Sequence, residues 1–152
     1  MKKILTTNLP IFFALGLASI IISACSLLPQ INPVEGQERD SVIALANPLA
    51  DNLFQGMGEG NYALFSRDFD TAMKKALDEK AFNEMVRAFT PKIGLYQSRE
   101  VEKVELVDTV YAITYLVKFE KEDAVSVRLS VRQGDPPLVA GLYFDSPKLR
   151  ER

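Results

Sequence analysis

The chain has no histidine, no tryptophan and a single cysteine among its 152 residues. Without histidine neither a Ser-His-Asp nor a Cys-His relay can be built, and the usual zinc and non-haem iron ligand sets are excluded. One cysteine excludes an internal disulfide and any CxxC motif. Positive charge is also in short supply: 18 Lys and Arg against 20 Asp and Glu give a net charge of -2 and a pI near 5.3. The basic stripe that nucleic-acid binding needs is missing. No metal, cofactor or nucleic-acid partner is therefore expected. What is present, 47% hydrophobic and 25% charged residues, suits one globular domain preceded by a short segment of different character.

Met1-Lys2-Lys3 makes a basic start. The apolar stretch after it is interrupted at Thr6, Thr7, Asn8 and Pro10 and then runs clean over residues 11–22. Such a run reaches about 18 Å as a helix, short of the roughly 30 Å hydrocarbon core. The alternative, an uncleaved membrane helix, has to draw Asn8 and Pro10 into the bilayer. The stretch reads instead as the apolar region of an export signal. It ends in Ile22-Ser23-Ala24-Cys25, which resembles the bacterial lipobox: an aliphatic residue, two small residues, then cysteine. The resemblance implies cleavage before Cys25, a diacylglyceryl group on its thiol and a second acyl chain on the freed amine, two chains anchoring stably where one is marginal. The expected organisation is a signal over residues 1–24, lipid-bearing Cys25 with a flexible tether to residue 38, a domain over 39–146 and a tail over 147–152. Processing leaves 128 residues and removes Lys2 and Lys3, so the net charge falls from -2 to -4. The expected location is the cell envelope, on the membrane face away from the cytoplasm. Ser26 is not the Asp that retains lipoproteins in the inner membrane of enteric bacteria, a clue only where the host has two membranes.

From Asp40 the pattern is helical: Val42, Leu45, Leu49, Leu53 and Met57 recur at three- and four-residue spacing. Asp40 suits the N-cap, Pro48 predicts a kink or break near Asn47, and Gly56, Gly58 and Gly60 read as the stop. Asn61 suits the cap of a second short helix with Tyr62 and Phe65, and Asp68 or Asp70 that of a third. Asp78 heads the best-patterned helix, with Phe82, Met85, Val86, Phe89 and Ile93 on one stripe. After Tyr96 the period becomes two. Tyr111, Ile113, Tyr115, Val117 and Phe119 alternate with smaller or polar residues, as do Val125, Val127, Leu129 and Val131, and then Leu138, Ala140, Leu142 and Phe144. A weaker strand covers residues 99–107. Because a one-residue slip turns a strand inside out, parity sets the loops: even at Asp108-Thr109, odd at Lys121-Glu122-Asp123, even through Gly134, Asp135 and Pro136. The expected fold is α+β, N-terminal helices packed on one face of a four-stranded antiparallel meander. Phe82, Val86 and Phe89 are expected to meet Tyr115, Val117, Val127 and Leu129.

Asn52-Leu53-Phe54-Gln55-Gly56, Asn61-Tyr62, Phe65-Ser66-Arg67-Asp68-Phe69, Met73-Lys74-Lys75-Ala76-Leu77, Gly94-Leu95-Tyr96 and Ala140-Gly141-Leu142-Tyr143-Phe144 carry a further likeness. Over about residues 40–144 the chain resembles an uncharacterised family, domain of unknown function 3887. The resemblance implies a cystatin-like cone of the nuclear-transport-factor-2-like type, a superfamily that holds enzymes, small-molecule binders and dimerisation modules.

Read as chemistry, Asp68 and Asp70 are a carboxylate pair that suits a helix start better than acid-base work. Glu100, Glu102 and Glu105 can gather on one edge, but Arg99 and Lys103 sit among them, so a solvated edge strand is the plainer reading. Gly56-Met57-Gly58-Glu59-Gly60 lacks the strand before it that a phosphate loop needs. Tyr111 and Tyr115 share the buried sheet face and must place their hydroxyls somewhere; with Tyr62 and Asp68 they are the candidate ligand-binding residues, and Arg67, Asp68 and Glu84 the candidate partners of the hydroxyls. The other sheet face carries Ala112, Thr114, Leu116, Arg128, Ser130, Val139 and Tyr143. Its central Leu116 and Tyr143 are the candidate interface residues, suited to a homodimer. The leading expectation is a lipid-anchored envelope protein whose domain binds or docks. The alternatives are an enzyme using carboxylates or tyrosines in the cone, and a self-associating structural envelope protein.

Overall fold

The computed structural model describes residues 30–151. The expected signal and Cys25 lie outside the described residues. The order is β1 (Ile31–Pro33), α1 (Gly36–Glu59), α2 (Tyr62–Phe65), α3 (Thr71–Ala76), α4 (Glu79–Ile93), β2 (Tyr96–Val107), β3 (Val110–Phe119), β4 (Glu122–Arg132), β5 (Leu138–Asp145) and α5 (Pro147–Arg150). The strands form one open antiparallel sheet in the order β1-β2-β3-β4-β5. The α+β class and the four-stranded meander stand, with a fifth strand added. Among the described residues no helix is long and apolar enough to cross a membrane.

The added strand corrects the tether. Ile31 pairs with Val107 and Pro33 with Glu105, Val34 N–H donates to Val104 O at 2.9 Å, and Val34 is buried. Residues 31–38, expected as flexible chain, are therefore the sheet edge and the first turn of α1. Three residues with a proline show no period from which a strand can be read.

The helices start largely where their side chains predict. Asn61 Oδ1 accepts from Leu64 N–H at 3.1 Å, Asp70 Oδ1 from Met73 N–H at 2.7 Å, and Asp78 Oδ1 from Ala81 N–H at 2.9 Å. α1 differs. Its N-cap is Glu35, without a side-chain cap bond, and Asp40 lies inside the helix. Pro48 ends nothing: the helix continues to Glu59, and only Gly60, at φ 62°, terminates it. Proline removes one hydrogen bond there, but Val42, Ala46, Leu49, Ala50, Leu53, Phe54 and Met57 are buried along the whole length, and that continuous apolar face holds the helix through the defect. α1 is also the helix that covers the middle of the sheet, with Ala50, Leu53 and Phe54 against Tyr115, Val127 and Leu129. The stripe of α4 joins the same core cluster as Tyr115, Val117, Val127 and Leu129, and its aromatic neighbours come from α2 and β5. Phe82 is fully buried, as expected, and packs on Tyr62 and Phe65, at 5.7 and 4.6 Å between ring centroids, while Phe89 meets Phe144 at 5.5 Å.

Bulges settle the register. Asp108-Thr109 forms the two-residue β2–β3 turn as expected, with Asp108 at φ 54°. The β3–β4 turn is Glu120-Lys121, shorter than the expected three residues. The odd residue is a bulge in β4, between the pairs Val117↔Val125 and Phe119↔Glu122. β5 carries another: Val131 pairs with Val139 and Ser130 with Gly141, leaving Ala140 as the extra residue. This flips the start of β5. Val139, expected on the outer face, is buried in the core, and Ala140, expected inside, lines the outer face. β2 bulges twice, at Gln97 and Glu102, which bends the strand and raises its twist.

Candidate functional site

The face of the sheet under α1 is filled. The space between Leu53, Phe54, Tyr115, Val127, Leu129 and Leu142 leaves no room for a water molecule. At its margin stands a polar cluster that the sequence pattern hides. Arg99, read as part of a solvated edge, points inward instead, its side chain only 12% exposed. Its guanidinium lies 5.7 Å from the Phe54 ring centroid and 5.5 Å from that of Tyr115. It donates to Asp51 Oδ1 at 2.6 Å, to Tyr96 Oη at 3.1 Å and to Asn47 O at 3.3 Å. Burial works against the Arg99 charge, but the hydrogen bonds to Asp51 and Tyr96 outweigh it and its pKa is raised. The bulge at Glu102 explains why no simple alternation reveals this residue: it breaks the period between Arg99 and Val104.

The four candidate ligand residues are not drawn into one network. Tyr62 donates to Leu77 O at 3.1 Å, and Tyr111 donates to Glu38 Oε1 at 2.8 Å. Glu38 is thus the partner found, in place of Arg67, Asp68 or Glu84. Asp68 Oδ2 accepts from Asn52 Nδ2 at 2.7 Å, and its backbone, with that of Asp70, bonds Val139 at the β5 edge. Asp68 thus ties α1 to that edge. Tyr111 and Tyr115, four residues apart on one strand, are separated by about 13 Å. The hydrogen bond to Glu38, with burial second, raises the Tyr111 pKa. Tyr115 is 1% exposed and its hydroxyl has no hydrogen-bond partner. Burial pushes its pKa up to about 12, the nearby Arg99 charge opposing.

That shift has a pH consequence. Unfolded, Tyr115 loses its proton near pH 10; folded, it holds it to about 12. The stability from keeping it neutral is complete below the unfolded value and fades as pH rises through the folded one, about 2–3 kcal/mol in all. Tyr115→Phe is expected to leave stability at pH 7 within about 0.5 kcal/mol of wild type, since no bond is lost, and to flatten the fall between pH 10 and 12. Denaturant titrations at both pH values check this.

The outer sheet face is open. Leu116 is 41% and Tyr143 63% exposed. Leu116 sits between Glu100 on β2 and Ser126 on β4, and Tyr143 pairs with Arg128. Around them Arg128 meets Glu105 at 2.9 Å, Lys103 meets Glu105 at 3.1 Å and Lys118 meets Asp123 at 3.0 Å. Glu105, considered with Glu100 and Glu102 for a cation, is occupied by these two side chains. Thr114, 4% exposed, lies on the same face with its hydroxyl unpartnered. Two grooves mark this face: one of about 180 Å³ beside Leu116, Lys118 and Asp123, and one of about 420 Å³ floored by Ala112, Ser130 and Ala140. The C-terminal segment does not cover it. α5 packs beside α4, with Leu149 against the core, Lys92 bonded to Glu151 O and Lys148 to Lys121 O.

No curated protein and no solved structure matches the chain. A family model described as a protein of unknown function, DUF3887, matches residues 50–133, more than half of the chain. The match runs from the middle of α1 through β4, and so includes Leu116 and, of the Arg99 cluster, every residue but Asn47. The chain belongs to this family of unknown function, DUF3887.

Proposed function

We propose that the protein is a lipid-anchored lipoprotein of the cell envelope, held to the membrane at Cys25 and facing away from the cytoplasm, whose domain docks rather than catalyses. Its docking surface is the outer sheet face, and its partner there is a second copy of the chain. The observation that carries this reading is the exposure of Leu116, on the middle strand, and of Tyr143, on the edge strand β5, on a sheet face that the protein's own C-terminal segment leaves uncovered. An antiparallel sheet tolerates water on one face, but large apolar side chains are scarce at the centre of such faces. Both charge signs occur around them, Lys103, Lys118 and Arg128 with Glu100, Asp123 and Glu105. A two-fold related copy can therefore set opposite charges across the contact. Confinement to a membrane raises the effective concentration of a weak pair. The two bulges of β2 and the packing of α1 on the middle of the sheet support reading the domain as a cystatin-like cone.

The test is association. The domain from Gln30 onward keeps every described strand and helix. Wild type is expected to sediment as a concentration-dependent dimer, and Leu116→Glu as a folded monomer with unchanged circular dichroism. Monomers for both proteins at high concentration would refute the second copy as partner.

A further inference from the structure

The start of the sheet limits how far the domain can stand from its anchor. Gln30 is held beside the β2–β3 turn: Asp108 N–H donates to Gln30 O at 3.2 Å, and Ile31 pairs with Val107. Five residue steps separate Gln30 from Cys25, a reach of at most about 18 Å. The headgroup layer between the hydrocarbon boundary and water takes up roughly 5–7 Å of that. β3, by comparison, runs about 30 Å from Val110 to Phe119. A leash this short cannot let the far end of the sheet and the turn end exchange places at the bilayer.

We infer that the Asp108-Thr109 end of the domain rests on the lipid headgroups, with the Glu120-Lys121 end pointing away; this rests on the proposed lipid anchor at Cys25. Two features of that end suit a lipid surface. Ile31, on the edge strand next to the leash, is an apolar side chain left 56% exposed by the described residues, and it fits the boundary between headgroup and acyl chain. Arg132 stands in register with Val110 at the same end; one of its guanidinium nitrogens lies 3.6 Å from Asp70 Oδ2, and its side chain, 53% exposed, has further N–H donors to turn to lipid phosphates. The groove floored by Ala112, Ser130 and Ala140 includes Asp108 and Thr109 in its wall. In this orientation it opens at the membrane surface, while Leu116, further along β3, stays clear for a neighbouring copy.

The sole cysteine of the chain is the one that carries the lipid, so an introduced cysteine is the only free thiol of the processed protein. The lipid-modified protein, carrying a donor dye at Thr109→Cys or at Asp123→Cys, is reconstituted into vesicles of phosphatidylethanolamine and phosphatidylglycerol with a headgroup-bound acceptor. With the two sites about 30 Å apart along the hairpin, energy transfer from Thr109→Cys is expected to exceed that from Asp123→Cys by about threefold. Equal transfer, or the reverse order, overturns the orientation. Inserting about twelve Gly and Ser residues between Cys25 and Gln30 is expected to bring the two readings together; a ratio that survives the insertion overturns the short leash as its cause. Flotation with the vesicles separates this from the anchor itself. If the wild-type chain fails to float, as the domain from Gln30 onward is expected to fail, the lipoprotein reading falls; if it floats with equal transfer, the orientation alone falls.

Discussion

Phe82→Ala is expected to destabilise the domain by about 3–5 kcal/mol, much of the roughly 5–15 kcal/mol that a domain has. The side chain is fully buried, and its ring lies 4.6 Å from Phe65 and 5.7 Å from Tyr62. Phe65 in turn stacks edge-on with Phe69 at 5.2 Å. Truncation leaves a cavity at the junction of α2 and α4, where the Tyr62 and Phe65 rings lose a neighbour and Phe65 cannot move without disturbing Phe69. Conservative Phe82→Leu is expected to recover more than half of the loss, because most of the volume returns. Equilibrium denaturation of the three proteins decides: an Ala variant with an unchanged midpoint would show that this junction adds nothing to the core.

Gly56→Ala is expected to cost about 3 kcal/mol, although the same change within an exposed helix gains stability. A Cβ at this position would stand 2.3 Å from Phe65 N, 2.6 Å from Phe65 Cα and 2.9 Å from Asn61 O. All three are backbone atoms, so no rotamer relieves the clash. α2 would have to lift from α1, breaking the 2.8 Å bond from Asn61 N–H to Gly56 O. Gly58, two residues on in the same helix, has nothing within 4 Å of its Cβ position. Gly58→Ala is therefore expected to be neutral or to stabilise by about 0.5–1 kcal/mol. The opposite signs of the pair, read from two denaturation curves, test whether Gly56 is required by the approach of α2. Equal effects of the two substitutions would reject that account.

Local signals in this chain were readable because they act over a few residues. A cap such as Asn61, Asp70 or Asp78 bonds an N–H three positions on, and an alternating strand such as β3 or β4 buries one face whatever it pairs with. Class, strand order and the Asp108-Thr109 turn follow from such signals. The Gly56 position did not, since glycine reads as a helix stop until α2 is laid across it. Nor did β1, whose three residues become a strand only because β2 offers them an edge.

The candidate site divides in the same way. Leu116 and Tyr143 were legible as outward residues from parity alone, and they are exposed. Val139 and Ala140 exchanged faces because one bulge shifts parity, and a bulge is set by how β5 must bend beside residues 68–70. Arg99 was hidden for a related reason: two bulges in β2 break its alternation, and its partners Asn47 and Asp51 come from a helix about fifty residues earlier. Composition and period thus set the classes of chemistry left open and the elements that form. Which side chains meet, which cavity closes and where the first strand docks depend on contacts between distant segments, whose energies no local window of sequence contains.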